Sequence, residues 1–199
     1  MSRPERAMLE GLRVGEPWAV EQLYRDHARR VLGWCIRLGG PGLDAEDLAQ
    51  QVFETAMKTC ARFRGDSSLS TWLFGITRNT IRNARRRAAL RRFVGLDAVP
   101  EPRDRGPDTE GVAIQHERRR AVQWALEDLK PPQREVLVLA DLEGHTAPEV
   151  AAMLGIPAGT VYSRLHHARR AFAAALEARG LPAGEEPEEG TVIPLRRAP

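Results

Sequence analysis

Apolar residues recur every three or four positions along most of this 199-residue chain, and that spacing constrains the fold more than any other feature. No stretch alternates apolar and polar residues as a half-buried strand would. Between 93 and 115, proline, glycine and acidic residues replace the helical spacing, which is the composition of a flexible linker. The sequence therefore predicts an all-α protein with two small helical domains, at 1–92 and 116–178, joined by a flexible acidic linker at 93–115 and followed by a disordered tail at 179–199.

Local signals place three helices in the first domain. The first is expected to begin near Pro17, a favoured first-turn residue, and to end at the glycine-rich turn 39–42. Asp44 is expected to cap the second helix, and Ser70 is expected to cap a third that runs from about 71 to 92. The inner face of the second helix is predicted to consist of Leu48, Val52, Ala56 and Cys60.

The third predicted helix has a strongly cationic face, although the formal net charge of the chain is only +3. Arg78, Arg82 and Arg85 share one stripe of this helix. No acidic residue lies between 78 and 92, so ion pairs within the helix cannot neutralise the arginines. Phosphate is the partner that this pattern favours, and an ordinary solvated helix face is the alternative.

A polar loop precedes the cationic helix. Arg64, Asp66, Ser67 and Ser68 offer donors and acceptors that can read the edge of an extruded base. Two aromatic residues, Trp72 and Phe74, follow the loop. Aromatic rings beside arginines can stack on unpaired bases, or they can belong to the core.

The second domain contains the pattern of a helix-turn-helix. Thr146 and Glu149 form a T-x-x-E capping box, Gly155 supplies a turn, and Pro157 stands where a second helix would begin. In that second helix one stripe is apolar, and the opposite face is small, polar or basic and suited to the major groove. The apolar stripe is Val161, Leu165, Ala168 and Phe172, and the opposite face is Gly159, Ser163, His166 and Arg170, flanked by Thr160, Arg164 and His167. The alternative is a helical hairpin with a basic surface.

Composition and motifs argue against several other classes. The two cysteines, Cys35 and Cys60, form no disulfide framework or CxxC site and are expected to be buried. No metal-site spacing, phosphate loop or nucleophile motif is evident, so we expect no catalytic residues, no metal, no cofactor and no enzyme activity. The N-terminus is too charged for a signal peptide and no apolar stretch reaches the ~20 residues of a membrane span, so we expect no membrane insertion and a cytoplasmic, nucleoid-associated protein.

Three segments resemble two conserved regions of one protein family. DAEDLAQQVFETAMK (44–58) and RFRGDSSLSTWLFGITRNTIRNARRR (62–87) resemble the second region of sigma-70 family RNA polymerase sigma factors of the extracytoplasmic-function type. LEDLKPPQREVLVLADLEGHTAPEVAAMLGIPAGTVYSRLHHARRAF (126–172) resembles their fourth region. The resemblance covers about 17–92 and 116–176 and implies a sigma factor that binds core RNA polymerase and directs transcription initiation at promoters.

The resemblance also implies residue roles. Docking on the clamp helices of the largest polymerase subunit falls to Asp47, Gln50, Gln51 and Glu54. Binding of the −10 element falls to Arg64, Asp66, Ser67, Ser68, Trp72, Arg78, Asn79, Arg82, Arg85 and Arg86. Binding of the −35 element falls to Thr160, Tyr162, Ser163, Arg164, His167 and Arg170. The implied partners are core RNA polymerase, through its clamp helices and flap, promoter DNA and an anti-sigma factor.

The chain departs from the family pattern at a few positions. Gln51 stands where Glu is common, and Tyr162 and His167 are expected to alter the −35 preference. Gly75 and Ile76 replace the paired tryptophans of housekeeping sigma factors, which predicts weaker melting and stricter promoter choice. Three alternatives stay open: a helix-turn-helix regulator that works without polymerase, a nuclease, and a protein with only a structural or interaction role.

Overall fold

The computed structural model describes residues 3–93 and 110–181. Within those two stretches the regular structure is entirely helical and contains no strand. The chain divides into two compact units, with the division between 100 and 101. The predicted all-α fold of two small helical domains is confirmed. The predicted flexible linker falls largely on 94–109, which lie outside the described residues.

The first unit is a bundle of four α-helices. Helix α1 is Arg3–Val14, α2 is Pro17–Gly39, α3 is Ala45–Thr59 and α4 is Leu69–Phe93, with a short 3-10 turn at Cys60–Arg62 after α3. Helices α2, α3 and α4 pack against one another, and α1 packs against α2 and the 3-10 turn. The largest fully buried side chains of this unit are Trp34, Phe53, Phe74, Leu23, Leu69 and Leu73.

The first helix was expected to begin near Pro17, but the structure has an earlier helix, α1. The segment is rich in charge, which argues against a signal peptide and obscures its helical spacing. Three apolar residues nevertheless share one face of it, and Met8, Leu9 and Leu12 are all buried. The helix at Pro17 exists as predicted, but it is the second in the chain.

The boundaries of α2 and α3 agree with the local signals. Pro17 opens α2, and Gly40 follows its last residue with a φ of 77°. The Asp44 carboxylate accepts hydrogen bonds from the backbone N–H groups of Glu46 (2.9 Å) and Asp47 (3.1 Å), so it caps α3 as predicted.

The predicted cap of α4 is wrong by two residues. The Ser68 hydroxyl accepts a hydrogen bond from the Thr71 N–H over 3.1 Å. Ser70 lies inside the first turn, where its hydroxyl accepts from Arg30 over 3.2 Å. The helix begins earlier than expected because Leu69 is apolar and fully buried, which brings the helix start against the core.

The second unit contains the remaining helices of the described residues. Helix α5 is Glu110–Glu127, α6 is Pro131–Leu137 and continues as a π-helical turn at Val138–Leu142, α7 is Ala147–Leu154 and α8 is Ala158–Glu177. Helix α8 packs against α5, α6 and α7. Residues 110–115 were placed in the predicted linker but are helical, and the predicted tail lies outside the described residues from 182 onward.

A buried arginine joins the first two helices of this unit. Arg134 in α6 is 2% exposed. Its guanidinium donates to the Glu127 carboxylate over 2.6 Å and to the Glu127 and Leu129 carbonyls over 2.8 and 3.3 Å. Because α5 ends at Glu127, the arginine stabilises the C-terminal end of that helix.

Both cysteines are buried and reduced, as expected from the sequence. Along the described parts of the chain, no helix combines the length and the apolar character that crossing a membrane requires.

Candidate functional site

Four polar residues of α3 lie on one side of the helix. Asp47, Gln50, Gln51 and Glu54 follow the spacing of a single helical face. Leu48, Val52 and Ala56 on the other side are buried, which directs the polar stripe outward. The Gln50 amide donates to the Glu54 carboxylate over 3.1 Å. The structure therefore brings the four predicted polymerase-binding residues together as one polar, acidic stripe.

The loop between Phe63 and α4 presents its first residues to solvent. The Arg64 guanidinium pairs with the Asp66 carboxylate over 3.1 Å, and both side chains are largely exposed. The Ser67 hydroxyl donates weakly to the Ser68 carbonyl over 3.4 Å. Ser68 differs from the others because its hydroxyl is engaged in capping α4. Arg64, Asp66 and Ser68 are exposed, whereas Ser67 is half-buried, so Arg64 and Asp66 offer the polar groups most open to solvent.

The two aromatic residues that follow the loop differ in burial. Phe74 is fully buried and meets Trp34 edge-on, with ring centroids 5.1 Å apart, so it belongs to the core. Trp72 is only half-buried. Its ring stacks on that of Phe63, with centroids 4.8 Å apart and an interplanar angle of 30°. Trp72 thus keeps part of its surface accessible beside the loop.

The cationic face of α4 is present, but its arginines have different partners. Asn79, Arg82 and Arg86 are exposed, and Arg78 is half-buried. The Arg82 guanidinium donates to the Asn79 amide oxygen over 2.9 Å, so these two predicted DNA-binding side chains are held together. A compact donor group of this kind can meet a phosphate or a base edge.

Arg85 is turned toward the protein. Its guanidinium donates to the carbonyls of Leu38 and Gly39, each over 3.1 Å. These are the last residues of α2, so the arginine satisfies carbonyls at the C-terminal end of that helix. A role in DNA binding stays a prediction for Arg85, and the intramolecular bonds compete with it.

The helix-turn-helix forms as the sequence predicts. A capping box joins Thr146 and Glu149 at the start of α7. The Glu149 carboxylate accepts from the Thr146 N–H and from its hydroxyl, each over 2.7 Å. These bonds lower the pKa of Glu149 below its ordinary value, the hydroxyl having the larger effect. Gly155 ends α7 with φ 66° and ψ 39°, in the left-handed region, and Pro157 precedes α8.

Helix α8 presents the predicted recognition face. Val161, Leu165 and Ala168 are buried, whereas Phe172 is only half-buried. All six predicted −35 residues lie along the same helix. Tyr162 is 62% exposed, and Ser163, His167 and Arg170 are exposed while Thr160 and Arg164 are half-buried.

One ion pair that the sequence did not reveal holds α8 in place. The Arg169 guanidinium donates to both carboxylate oxygens of Asp141, over 2.9 and 2.7 Å. The hydrogen bonds to Asp141 raise the pKa of Arg169. Asp141 lies in the π-helical turn, so the pair joins that turn to the middle of α8. The two residues are 28 positions apart, and no local pattern marks them as partners.

Across 3–93 and 110–181, no cluster of three or more histidine, cysteine or carboxylate side chains is arranged to hold a metal ion.

Comparison with known families and structures identifies both units. The family model described as Sigma-70 region 2 matches residues 23–91, and the model described as Sigma-70, region 4 matches residues 119–172. Helix α1 precedes the first match, and the helix-turn-helix lies within the second.

Curated relatives are similar over most of the chain. The ECF RNA polymerase sigma factor SigL of Mycobacterium tuberculosis is 32% identical over 178 residues, which are 88% of this chain and 98% of SigL. The ECF RNA polymerase sigma factor SigE of Mycolicibacterium smegmatis is 37% identical over 155 residues, which are 75% of this chain. That alignment covers 58% of SigE, so the chain spans less than two thirds of that relative.

Solved structures are similar in fold over most of the chain. CnrH, solved in complex with the cytosolic domain of CnrY, gives a TM-score of 0.63 at 26% identity and covers 87% of this chain and 97% of CnrH. The sigma factor RpoE from Bartonella quintana, solved with the anti-sigma factor NepR, gives 0.61 at 25% identity and covers 79% of this chain and 96% of RpoE. Together with the two family regions, these likenesses show that the chain belongs to the sigma-70 family, among the extracytoplasmic-function RNA polymerase sigma factors.

Proposed function

We propose that this sigma factor, which makes core RNA polymerase promoter-specific, divides its contacts among three surfaces. The polar stripe of α3 binds polymerase, the loop at 64–68 with α4 binds the −10 element, and α8 binds the −35 element. The observation that carries the proposal is the pairing, within one small unit, of an outward polar stripe on α3 with the acid-free cationic face of α4. A polymerase-independent regulator has no use for the α3 stripe, and the family membership does not favour that alternative.

Polymerase binding is assigned to Asp47, Gln50, Gln51 and Glu54, which meet the clamp helices of the largest subunit. The stripe adjoins the DNA-binding helix, because the Arg87 guanidinium of α4 donates to the Gln51 amide oxygen over 3.3 Å. Docking on polymerase would therefore bring the cationic face close to the DNA that the clamp holds. The flap is the corresponding polymerase partner of the second unit.

Recognition of the −10 element is assigned to the loop and to the outer face of α4. Arg64 and Asp66 provide exposed polar groups just before α4, and the half-buried Ser67 adds a hydroxyl. Asn79 and Arg82 form a joined donor and acceptor group further along the helix. Arginine neutralises phosphate charge, and the loop reads the edge of a base that has left the stack.

Recognition of the −35 element is assigned to α8, with the small and polar residues near its N-terminus in the major groove. Ser163 and Arg170 lie on its exposed face. Arg169 is excluded from this role, because its guanidinium is held by Asp141.

Regulation by an anti-sigma factor follows from the solved relatives. The structures of CnrH and RpoE were both solved in complex with a partner protein, and the partner of RpoE is described as an anti-sigma factor. We assign a similar inhibitor to this chain. The sigma factor itself acts in the cytoplasm at the nucleoid, and it supplies promoter specificity to polymerase without catalytic chemistry of its own.

Transcription in vitro tests the proposal. The purified chain is mixed with core RNA polymerase and genomic fragments, and start sites are mapped. Discrete new start sites that neither component yields alone are expected. If no complex with polymerase forms while the chain alone binds specific duplex DNA tightly, the proposal is wrong and a free-standing regulator takes its place.

Matched variants test the polymerase-binding stripe of α3 and the −35-binding face of α8 separately. Glu54→Arg is expected to weaken binding to core polymerase, whereas Glu177→Arg makes the same change at the end of α8 as a control. Arg170→Ala is expected to weaken −35 duplex binding about tenfold or more while sparing core binding, because a contact to a base or phosphate is lost. Arg119→Ala, which removes an exposed arginine of α5 in the same unit, serves as its control.

A further inference from the structure

Helix α1 contacts the backbone segment from which the loop at 64–68 departs. The Arg13 guanidinium donates from Nη2 to the Phe63 carbonyl over 2.8 Å, across 50 positions of sequence. The Cys60 thiol lies 3.7 Å from the Leu12 carbonyl at a buried position. Helix α1 therefore contacts both ends of the segment 60–63.

Phe63 is also held from other directions. Its ring is 7% exposed and stacks on Trp72 of α4. Its N–H donates to the Cys60 carbonyl over 3.1 Å. Arg64, the first candidate DNA-binding residue of the loop, follows directly. The point at which the loop begins is therefore determined jointly by α1, the 3-10 turn and α4.

Helix α1 is itself held closely against α2. A Cβ at Gly11 would lie 2.8 Å from the Ala19 Cβ and 2.8 Å from Trp18 Cζ2, so only glycine permits this approach. Leu9 and Leu12 are buried beside it. The position of the Arg13 backbone is thus determined by core packing, and the arginine needs to order only its own side chain to reach Phe63.

The hydrogen bond from Arg13 to the Phe63 carbonyl is charge-assisted and therefore strong. A charged guanidinium that donates to a carbonyl makes a shorter and stronger hydrogen bond than a neutral donor does. The same side chain pairs with Glu10 over 3.2 Å on the surface of α1. Removal of Glu10 therefore offers a way to disturb the arginine without removing its bond to Phe63.

We propose that Arg13 is a positioning residue for −10 recognition, which acts through the Phe63 carbonyl to hold Arg64, Asp66 and Ser67 in the arrangement that meets the DNA. The inference rests on the proposed function of the loop. It assigns to α1, which precedes the matched family region, a part in promoter selectivity rather than in stability alone.

The test uses the full chain with core RNA polymerase and a promoter mapped with the unaltered protein. Affinity is measured for the single-stranded −10 element and for the same strand with its bases substituted. The ratio of the two affinities is the discrimination. Arg13→Ala, Arg13→Lys and Glu10→Ala are compared at a temperature at which circular dichroism shows each to be folded.

Arg13→Ala is expected to lower the discrimination about tenfold, since the lost bond is charge-assisted, and to leave core affinity within about twofold. Arg13→Lys is expected to recover part of the loss, because an ammonium can donate to the same carbonyl. Glu10→Ala is expected to match the unaltered protein.

Two results would overturn the inference. One is unchanged discrimination in folded Arg13→Ala. The other is an equal loss of affinity for every sequence together with weaker core binding, which would mean that Arg13 only stabilises the fold. If the unaltered protein gives no promoter-directed start site, the proposed function is wrong and the inference fails with it. This result is distinguishable from failure of the inference alone, because it is seen without any variant.

Discussion

Arginines that look alike in the sequence have different partners in the structure. Arg82 and Arg86 are exposed on α4, whereas Arg85 between them in sequence donates to the end of α2. Arg169 pairs with Asp141, and its neighbour Arg170 is exposed. The helical period predicts which arginines share a face. It does not predict which of them find an acceptor, because the acceptors lie 28 to 47 positions away.

Arg85→Ala is expected to destabilise the first unit by about 2 kcal/mol, because two carbonyls lose a charged donor. Arg86→Ala, an exposed neighbour, is expected to cost less than about 0.5 kcal/mol. Urea unfolding followed by tryptophan fluorescence measures both in a Trp124→Phe background, where the remaining tryptophans all belong to the first unit. Equal costs for the two variants would contradict the capping role of Arg85.

The capping box gives the second unit a pH dependence. Hydrogen bonds from Thr146 lower the pKa of Glu149 in the folded state. A lowered folded pKa means that the carboxylate stabilises the fold fully above the unfolded pKa of about 4.3. The stabilisation is lost as the pH falls through the lower folded value.

Urea unfolding of the unaltered chain and of Glu149→Ala at a series of pH values checks this. The difference in free energy of unfolding is expected to be constant near neutral pH and to shrink below about pH 4.3. A difference that grows on acidification would show that Glu149 is not stabilised as a carboxylate.

At the scale of elements, the sequence predicts the helix-turn-helix best. The T-x-x-E box, Gly155 and Pro157 located the helix-turn-helix, because each acts on the backbone within a few residues of itself. Helix α1 is absent from the prediction although Met8, Leu9 and Leu12 have helical spacing, because the many charged residues around them obscure a short apolar face. The π-helical turn after α6 is not predicted either, because its apolar residues Val138, Leu139 and Leu142 are equally compatible with a continued α-helix.

The turn between α7 and α8 depends on the conformation of Gly155. Its φ of 66° lies in the left-handed region, so Gly155→Ala is expected to cost about 1 kcal/mol although no atom lies within 4 Å of the added Cβ. Gly155→Asn is expected to cost less, because asparagine tolerates this conformation.

Gly159→Ala is the matched control for that substitution. Gly159 lies inside α8 with equally open space around it, so alanine there is expected to stabilise by about 0.5–1 kcal/mol. Hydrogen exchange of peptides from α7 and α8 measures all three variants. Destabilisation by Gly159→Ala that equals the cost of Gly155→Ala would show that the left-handed conformation is not the cause.

At the scale of the whole molecule, the division into two helical domains was evident from composition and periodicity. The roles of the four stripe residues came only from family resemblance, since polar spacing on α3 does not name a partner. A modest net charge of +3 conceals the concentration of arginine on one helix, and we expect that concentration to govern the salt dependence of DNA binding.

Arg82→Ala is expected to reduce the slope of log affinity against log salt by about 0.7 for single-stranded −10 DNA, which corresponds to one lost phosphate contact. Titrations of the complex with core polymerase at several salt concentrations measure the slope. Arg29→Ala on α2 removes an exposed arginine elsewhere in the same unit and is expected to leave the slope unchanged. An unchanged slope in Arg82→Ala would remove that residue from the DNA interface.

The two buried cysteines can report how often the helical bundle of the first unit opens transiently. Cys35 and Cys60 are the only cysteines of the chain and are 1% and 4% exposed. Burial raises the pKa of the Cys35 thiol to about 12. Oxidants and alkylating reagents attack the thiolate, so they reach this sulfur only when the bundle opens. The rate of alkylation therefore measures that opening without any introduced label.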